Sequence, residues 1–233
     1  SYRSLIASKK INPLMASIGS HASIRYGVSN KENPFCKTPL KHIQKFHLDE
    51  KSGLEQSLID SIVGFYKSGG TDGKSQPLLF KGKQSSGNLF LHKRDDIQTL
   101  KGIIENQVLK YLESYKESDE GFIRHWPKKY NLYGWLVAIQ SGGKLDAHIH
   151  KEGWLSGSLY FKMPKKLNKN EGNIVFGIDG ANYPKDNKKY PQEIKDIDQG
   201  DLVMFPSSLF HHTLPFESKE ERISFAFDVI PEF

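Results

Sequence analysis

The sequence predicts a mainly β domain with supporting helices, and three features of the chain lead to that prediction. After Trp126-Pro127, short apolar or alternating runs are separated by Gly, Pro and Asn, as is typical of β-strands and turns. Two stretches with helical spacing of apolar residues come before them. Hydrophobic residues make up 37% of the 233 residues, which is enough apolar material for a core.

The two helices are predicted from apolar residues that recur on one face. The first stripe begins at Leu54 and stops at Gly69-Gly70. The second helix is expected to begin at Asp95, an N-cap candidate, and to reach about Ser118. Residues 71–88 between them are rich in Gly, Ser, Lys and Gln, so we expect an exposed loop there.

Five strands are predicted in the second half of the chain. Their bounds are Leu132–Gln140, Leu155–Met163, Asn173–Ile178, Asp201–Phe205 and Arg222–Ile230. The segment 179–200, rich in Asn, Lys, Pro and Tyr, is expected to be a long loop or a broken strand. Loops of that length in a compact β domain are more often functional than idle, so its lysines and tyrosines are candidate rim residues for a substrate site, with a solvated surface loop as the favoured alternative.

The domain organisation follows from a change in pattern near residue 48. Residues 1–48 show no sustained period and carry Asn-Pro twice, so we expect an N-terminal extension or linker. Residues 49–233 are expected to form one domain with its β core at about 130–233. The chain begins without Met and without a signal-peptide apolar region, which suggests a fragment of a longer protein.

Composition excludes several classes of function. The single cysteine, Cys36, has no partner for an internal disulfide, so a reducing compartment, the cytoplasm, is expected. No run of about 18 apolar residues exists, so no membrane span is expected. The net charge of +6 comes mostly from scattered lysines, and a nucleic-acid partner is not expected.

The strongest local signal is the pair His148 and His150, just before a predicted strand. Residues i and i+2 of an extended segment point to the same side, so the two imidazoles can converge on one point. His211 follows the strand at Asp201–Phe205 and is the candidate third ligand. Histidine sets with an open position suit catalytic iron or zinc, whereas structural zinc normally recruits cysteines. An accidental pair of histidines on a solvated strand is the alternative.

Arg222 begins the last predicted strand and shares one face with Ser224 and Ala226. An arginine that points into an apolar barrel is costly without an anionic partner, so an inward Arg222 requires a carboxylate. An edge-strand arginine that faces water is the alternative.

Taken in order, the motifs resemble those of a known family. They are His148-Ile149-His150, Gly153-Trp154-Leu155-Ser156-Gly157-Ser158-Leu159-Tyr160, Gly200-Asp201-Leu202-Val203-Met204-Phe205-Pro206-Ser207, Phe210-His211 and Glu221-Arg222-Ile223-Ser224-Phe225-Ala226-Phe227. They resemble the Fe(II)- and 2-oxoglutarate-dependent oxygenases, in particular the bacterial and phage group related to prolyl hydroxylases, some of which follow tetratricopeptide repeats. The resemblance covers roughly residues 130–233. It implies a double-stranded β-helix, a cupin-like jelly roll of two four-stranded sheets, and leaves open that the fragment belongs to a longer repeat-containing chain.

The resemblance also implies roles for individual residues. His148 takes the first metal position, His211 the distal histidine, and Arg222 the residue that holds the far carboxylate of 2-oxoglutarate. Ser224 completes an Arg-x-Ser pattern, and Tyr160 is a candidate for holding the co-substrate, with a core or surface tyrosine as the alternative. The implied cofactors are Fe(II), with 2-oxoglutarate and O2 as co-substrates.

The chain departs from the family at one position. The superfamily has His-x-Asp where this chain has His148-x-His150, which puts the usual triad of two histidines and one carboxylate in doubt. We expect His150 to take the carboxylate position in a three-histidine site. Asp146, which has the i, i+2 relation to His148 on its other side, is the better substitute, ahead of Glu152.

The implied function is a dioxygenase that hydroxylates a peptide or protein side chain, or a small molecule, and releases succinate and CO2. Two alternatives stay open. A three-histidine cupin dioxygenase that does not use 2-oxoglutarate would need no Arg222. A catalytically idle jelly roll would bind a peptide or an acidic ligand through Arg222. We expect Trp135 and Trp154 to be packing residues, and His212 to lie outside the ligand set.

Overall fold

Ten β-strands in two antiparallel sheets form the body of the protein, which a computed structural model describes from residue 11 to residue 232. The helices are α1 (Pro13–Tyr26), α2 (Gln56–Lys67), α3 (Asp95–Ser114) and α4 (Gly121–Arg124). The strands are β1 (Gln44–His47), β2 (Gly73–Lys74), β3 (Leu79–Ser85), β4 (Tyr130–Leu145), β5 (Leu155–Lys162), β6 (Ile174–Gly177), β7 (Gln192–Lys195), β8 (Asp201–Pro206), β9 (Phe210–Thr213) and β10 (Arg222–Pro231).

The two sheets differ in size. The large sheet has the order β1-β8-β5-β10-β4-β3-β2, and the small sheet has the order β7-β6-β9. The predicted mainly β, jelly-roll fold is therefore confirmed, but the implied division into two four-stranded sheets is wrong. Strands β1 to β3 widen the large sheet, while the segment before β5 joins the small sheet only through a bridge between His148 and His211.

The five predicted strands are all present, with ends that shift by a few residues, the largest change being the extension of β4 to Leu145. The prediction of a loop at 71–88 is wrong, because β2 and β3 lie there. Strand β3 carries few apolar residues and lacks a clear alternation. Gly82 allows it to pair, since a Cβ there would lie 2.8 Å from the carbonyl oxygen of Ala138.

Helix α3 begins at Asp95 as predicted, but the N-cap is Arg94 and the helix ends at Ser114. Residues 1–10 of the predicted extension lie outside the described residues. Residues 11–48 contain α1 and β1, and β1 pairs with β8. Phe35 and Leu48 are buried in the core, so this part of the chain packs on the β body.

The large sheet separates two apolar layers. On one face, the alternate residues of β4, β5, β8 and β10 pack against α2 and α3. The other face looks toward the small sheet, where Tyr160, Val203 and Phe205 pack with Ile174 and Phe176. The helices thus cover one face, and the polar side chains of the opposite face lie between the sheets. Within residues 11–232, no helix is both long and apolar enough to cross a membrane.

Candidate metal and co-substrate site

Three imidazoles converge where the two sheets meet. The ring centroids lie 4.2 Å apart for His148 and His211, 5.1 Å for His148 and His150, and 4.9 Å for His150 and His211. Main-chain hydrogen bonds in both directions hold His148 beside His211, and the N–H of His150 donates to the carbonyl oxygen of Ser207. One ring nitrogen from each histidine lies within 4.8 Å of the others.

Each of the three rings has a hydrogen-bond acceptor at its Nδ1 atom. The acceptors are the Asp146 carbonyl oxygen for His148 at 2.8 Å, the Leu209 carbonyl oxygen for His211 at 3.2 Å, and Asp228 Oδ1 for His150 at 2.6 Å. Because these oxygens accept a hydrogen bond, each ring in its neutral form carries its hydrogen on Nδ1 and keeps a lone pair on Nε2.

The Nε2 atoms of His148 and His150 face each other. They lie 3.2 Å apart, so two acceptors meet at hydrogen-bond distance when both rings are neutral. A cation bound by both nitrogens removes this repulsion. The donor set of three neutral nitrogens, without cysteine, suits iron or another divalent transition metal.

Burial keeps two of these rings neutral. Desolvation, with the nearby His150 second, lowers the pKa of His148 to about 4. Desolvation, followed by the influence of His148, lowers the pKa of His211 well below its ordinary value. The neutral imidazole is the form that binds a metal ion.

The two carboxylates considered as substitute ligands lie elsewhere. The side chain of Asp146 is half exposed and pairs with Lys144 Nζ at 2.8 Å, while its carbonyl oxygen holds His148. Glu152 lines a neighbouring groove. The structure therefore brings His150, and neither of these carboxylates, to His148 and His211.

Arg222 is buried near the three histidines, with 2% of its surface exposed. Its Nε atom donates to the Gly172 carbonyl oxygen at 3.0 Å, and its Nη1 atom lies 3.5 Å from Ser224 Oγ. Within residues 11–232 no carboxylate pairs with it. Desolvation lowers the pKa of Arg222, although a guanidinium remains charged at neutral pH.

Tyr160 lies against this guanidinium, with 4.8 Å between Arg222 Cζ and the ring centroid. Its hydroxyl is buried and has no hydrogen-bond partner in the described structure, and desolvation raises the pKa of Tyr160. A buried cation beside a free hydroxyl is costly unless an anion accepts from both. The pair therefore fits a carboxylate.

One cavity joins the two groups. Its volume is about 230 Å³, and both the three histidines and the pair of Arg222 and Tyr160 line it, together with Ser224. The remaining wall is largely apolar. The three histidines thus offer metal-binding lone pairs to this small cavity, and Arg222 and Tyr160 offer hydrogen-bond donors to a carboxylate in the same cavity.

Sequence reasoning missed several residues of the site. Asp228 and Ser156 hold His150, and Trp135, for which the sequence indicated only packing, lines the cavity with its ring 5.6 Å from that of His150. A signal for Asp228 was present, because the face of β10 that carries Arg222, Ser224 and Ala226 continues to residue 228. Trp154 is a packing residue, since its indole donates to the Phe122 carbonyl oxygen.

The other predicted features lie away from the cavity. His212 pairs with Val175 in the small sheet and points away from His211, as strand alternation requires. The segment 179–200 contains β7, and its Lys188 donates to carbonyl oxygens at the end of α1. This segment is fastened to α1, and none of its residues lines the cavity of the three histidines.

Comparisons with known proteins agree with this geometry. Residues 133–228 match the family model "Putative 2OG-Fe(II) oxygenase". A search of curated proteins finds no match. Among solved structures, a prolyl-4-hydroxylase from Pseudomonas putida has a TM-score of 0.57 at 12% identity, covering 82% of this chain and 92% of its own.

Two further structures share the fold. A prolyl hydroxylase from Trichoplax adhaerens, in complex with a hypoxia inducible factor oxygen degradation domain peptide fragment, has a TM-score of 0.56 at 11% identity and covers 92% of this chain and 90% of its own. HygX from Streptomyces hygroscopicus, with nickel and 2-oxoglutarate bound, has a TM-score of 0.53 at 11% identity, covering 82% and 84%. At these identities the likeness concerns the fold alone.

Proposed function

We propose that the protein is a dioxygenase that hydroxylates a peptide or protein side chain, or a small molecule, because residues 133–228 match the 2OG-Fe(II) oxygenase family, which uses Fe(II), 2-oxoglutarate and O2. Succinate and CO2 are the other products. The proposal rests on one cavity lined both by metal-binding lone pairs and by a buried guanidinium that has no carboxylate partner among residues 11–232.

Three histidines of the chain would hold the metal, namely His148, His150 and His211. When bound, Fe(II) with 2-oxoglutarate supplies the activation of O2 for insertion of oxygen into a C–H bond. The protein's part is to present three fixed Nε2 atoms, because each ring is already held by its Nδ1 hydrogen.

The opposite end of the cavity would hold the far carboxylate of 2-oxoglutarate. Arg222 donates charged hydrogen bonds, and the Tyr160 hydroxyl offers a further donor at its side. Ser224, on the same face of β10, keeps Nη1 of Arg222 in place. A three-histidine cupin enzyme without 2-oxoglutarate has no use for such a guanidinium, so the burial of Arg222 favours the proposed co-substrate.

The substrate would approach through a groove next to the cavity. The groove has a volume of about 410 Å³ and shares Trp135 and Gln84 with the cavity wall. Tyr133 and Trp135 form an aromatic side, and Glu152 lies at its rim. The open, partly aromatic shape is compatible with an extended peptide or a small molecule.

The test compares Arg222→Gln with Arg94→Gln, a partly exposed arginine that pairs with Asp96. We measure Fe(II)-dependent formation of succinate and calorimetric binding of 2-oxoglutarate to the Ni(II)-loaded protein. Arg222→Gln should weaken 2-oxoglutarate binding by at least about 30-fold, because a buried charged donor is lost, and should leave Ni(II) binding intact. Arg94→Gln should behave as wild type.

The alternatives give different results. Wild-type oxygenase activity in Arg222→Gln would favour the cupin enzyme that does not use 2-oxoglutarate. A protein that binds neither Ni(II) nor 2-oxoglutarate would favour the idle binding module.

A further inference from the structure

His150 differs from the other two histidines in the group that holds its ring. His148 and His211 donate to main-chain carbonyl oxygens two residues before them in the chain, so the local backbone fixes both rings. His150 donates instead to the side chain of Asp228, which lies 78 residues further along. It is also the ring that occupies the position where the superfamily has a carboxylate.

Asp228 is itself held in a buried hydrogen-bond network. Ser156 Oγ donates to Asp228 Oδ1 at 2.6 Å and lies 2.7 Å from Ser207 Oγ. Asp228 and Ser156 lie directly opposite each other in the pairing of β10 with β5, at the centre of the large sheet. The network therefore belongs to the rigid part of the fold, whereas His150 lies in the turn before β5.

The backbone leaves room for this network at Gly153. A Cβ at that position would lie 2.7 Å from Ser207 Oγ and 3.1 Å from Asp228 Oδ1. Any side chain there would displace the carboxylate or the serine. Because residue 153 is glycine, the turn that carries His150 can pack directly against Asp228.

The charge on the acceptor is the second difference. His148 and His211 donate to neutral carbonyl oxygens, while His150 donates to a carboxylate. A carboxylate behind a metal-binding histidine fixes the ring and makes its free nitrogen a stronger donor. The His-x-His sequence places no carboxylate at the metal position. The carboxylate of Asp228 lies behind it, joined to His150 by a hydrogen bond.

We propose that Asp228 is a positioning residue that directs His150 Nε2 to the metal and supplies the missing negative charge through that ring. The proposal rests on the proposed function for the identity of the metal site. It concerns metal binding alone, so its test needs neither turnover nor a substrate.

The experiment measures Co(II) binding to Asp228→Asn by calorimetry and by the visible absorption of the bound ion. Asparagine keeps the shape and removes the charge. We expect at least about a tenfold rise in the Co(II) dissociation constant and a changed Co(II) spectrum. Asp119→Asn removes an exposed carboxylate that pairs with Lys37 and should match wild type. Thermal unfolding without metal shows that each variant is folded.

Two further variants separate the proposal from a general loosening of the fold. Trp154→Phe removes a buried hydrogen bond to the Phe122 carbonyl oxygen beside this turn and leaves Asp228, Ser156 and His150 in place, so Co(II) binding should stay within about threefold of wild type. In a His150→Ala background, Asp228→Asn should have no further effect on Co(II) binding, because Asp228 acts through that ring.

Three results would overturn the proposal. They are Co(II) binding by Asp228→Asn within about threefold of wild type, an equal loss in Trp154→Phe, and an undiminished effect of Asp228→Asn in the His150→Ala background. An absence of 2-oxoglutarate turnover in the wild-type protein would argue against the proposed function and leave these measurements valid.

Discussion

Two clusters of the described chain each bring three potential metal ligands within 4.8 Å of one another. One is the cavity cluster, His148, His150 and His211, and the other is the buried cluster, Cys36, His42 and Glu120. Distance and residue type make them look alike. They differ in whether each potential ligand atom already has a hydrogen-bond partner within its own cluster's surroundings.

In the buried cluster both carboxylate oxygens already accept hydrogen bonds. Glu120 Oε2 accepts from the Lys37 N–H at 2.6 Å, and Oε1 accepts from the Thr38 N–H at 2.8 Å and from Thr38 Oγ1 at 2.7 Å. Three donors on one carboxylate satisfy a buried charge. Glu120 therefore fastens residues 37 and 38 to the start of α4.

The remaining members of the buried cluster are also satisfied. His42 Nδ1 donates to the Thr38 carbonyl oxygen at 3.1 Å, and its Nε2 accepts from Ser118 Oγ at 3.1 Å. Burial raises the pKa of the Cys36 thiol well above its ordinary value, so the sulfur stays protonated. In the cavity cluster, by contrast, Nε2 of His148 and of His150 face only each other, and neither has another hydrogen-bond partner among the described residues. Unused lone pairs, rather than proximity, distinguish a metal site from a structural brace.

The largest expected effect compares His148→Ala with His42→Ala. His148→Ala should lower Co(II) affinity by more than the roughly 10–100-fold that loss of an outer hydrogen-bond partner costs, because a ligand itself is removed. His42→Ala should bind one equivalent of Co(II) as wild type does. It should lower the free energy of unfolding by about 2 kcal/mol, because two buried polar partners lose their bonds. Calorimetry and urea unfolding measure the two effects.

Two results would contradict this comparison between His148→Ala and His42→Ala. Loss of Co(II) binding in His42→Ala, with a stable fold, would make the buried cluster the metal site. Wild-type Co(II) binding by His148→Ala would remove the cavity cluster from that role.

The next effect concerns Glu120→Gln. A glutamine amide offers one acceptor oxygen, so its NH2 group faces either the Lys37 N–H or the Thr38 donors and leaves a buried donor unpaired. We expect a loss of about 2 kcal/mol in the free energy of unfolding, with Co(II) binding unchanged. Glu117→Gln, an exposed change of the same kind two residues before Asp119, is the control and should be neutral in urea unfolding. A neutral Glu120→Gln would contradict the bracing role.

The cavity cluster was predictable because its signals are local. His148 and His150 have the i, i+2 spacing of an extended segment, and Arg222 begins an apolar strand where an unpaired charge is costly. The resemblance to the oxygenase family then assigned these residues to one site. The buried cluster carried no such pattern, since its one histidine, His42, meets Ser118 across 76 residues.

The rest depended on long-range pairing that one sequence does not display. Asp228 lies on the same face of β10 as Arg222. The pairing of β10 with β5 brings Asp228 opposite Ser156 and so close to His150, and the sequence does not show that pairing. Strand β3 lies near the sheet edge with mostly polar residues, and pairing with β4, not an intrinsic preference, makes it extended. Helix α1 has almost no apolar stripe, so only its packing against the body fixes it.

The smallest expected effect concerns Cys36, the only cysteine of the chain. Cys36→Ala should lower the free energy of unfolding by about 1 kcal/mol at neutral pH, because a small buried group is lost, and should leave Co(II) binding unchanged. The folded thiol has a raised pKa, whereas the unfolded thiol ionises at its ordinary value. The stabilisation from Cys36 is therefore complete below the ordinary thiol pKa and declines as the pH rises above it.

Urea unfolding of wild type and Cys36→Ala between about pH 7 and pH 10 should show their stability difference shrinking with pH, while groups common to both cancel. Alkylation adds a kinetic check, since the native thiol should react far more slowly than the urea-unfolded one at each pH. Protection of Cys36 by Co(II), or a stability difference that grows with pH, would mean that the thiolate is stabilised in the fold. The Cys36 sulfur would then be available as a metal ligand, and the buried cluster would no longer differ from the cavity cluster in this respect.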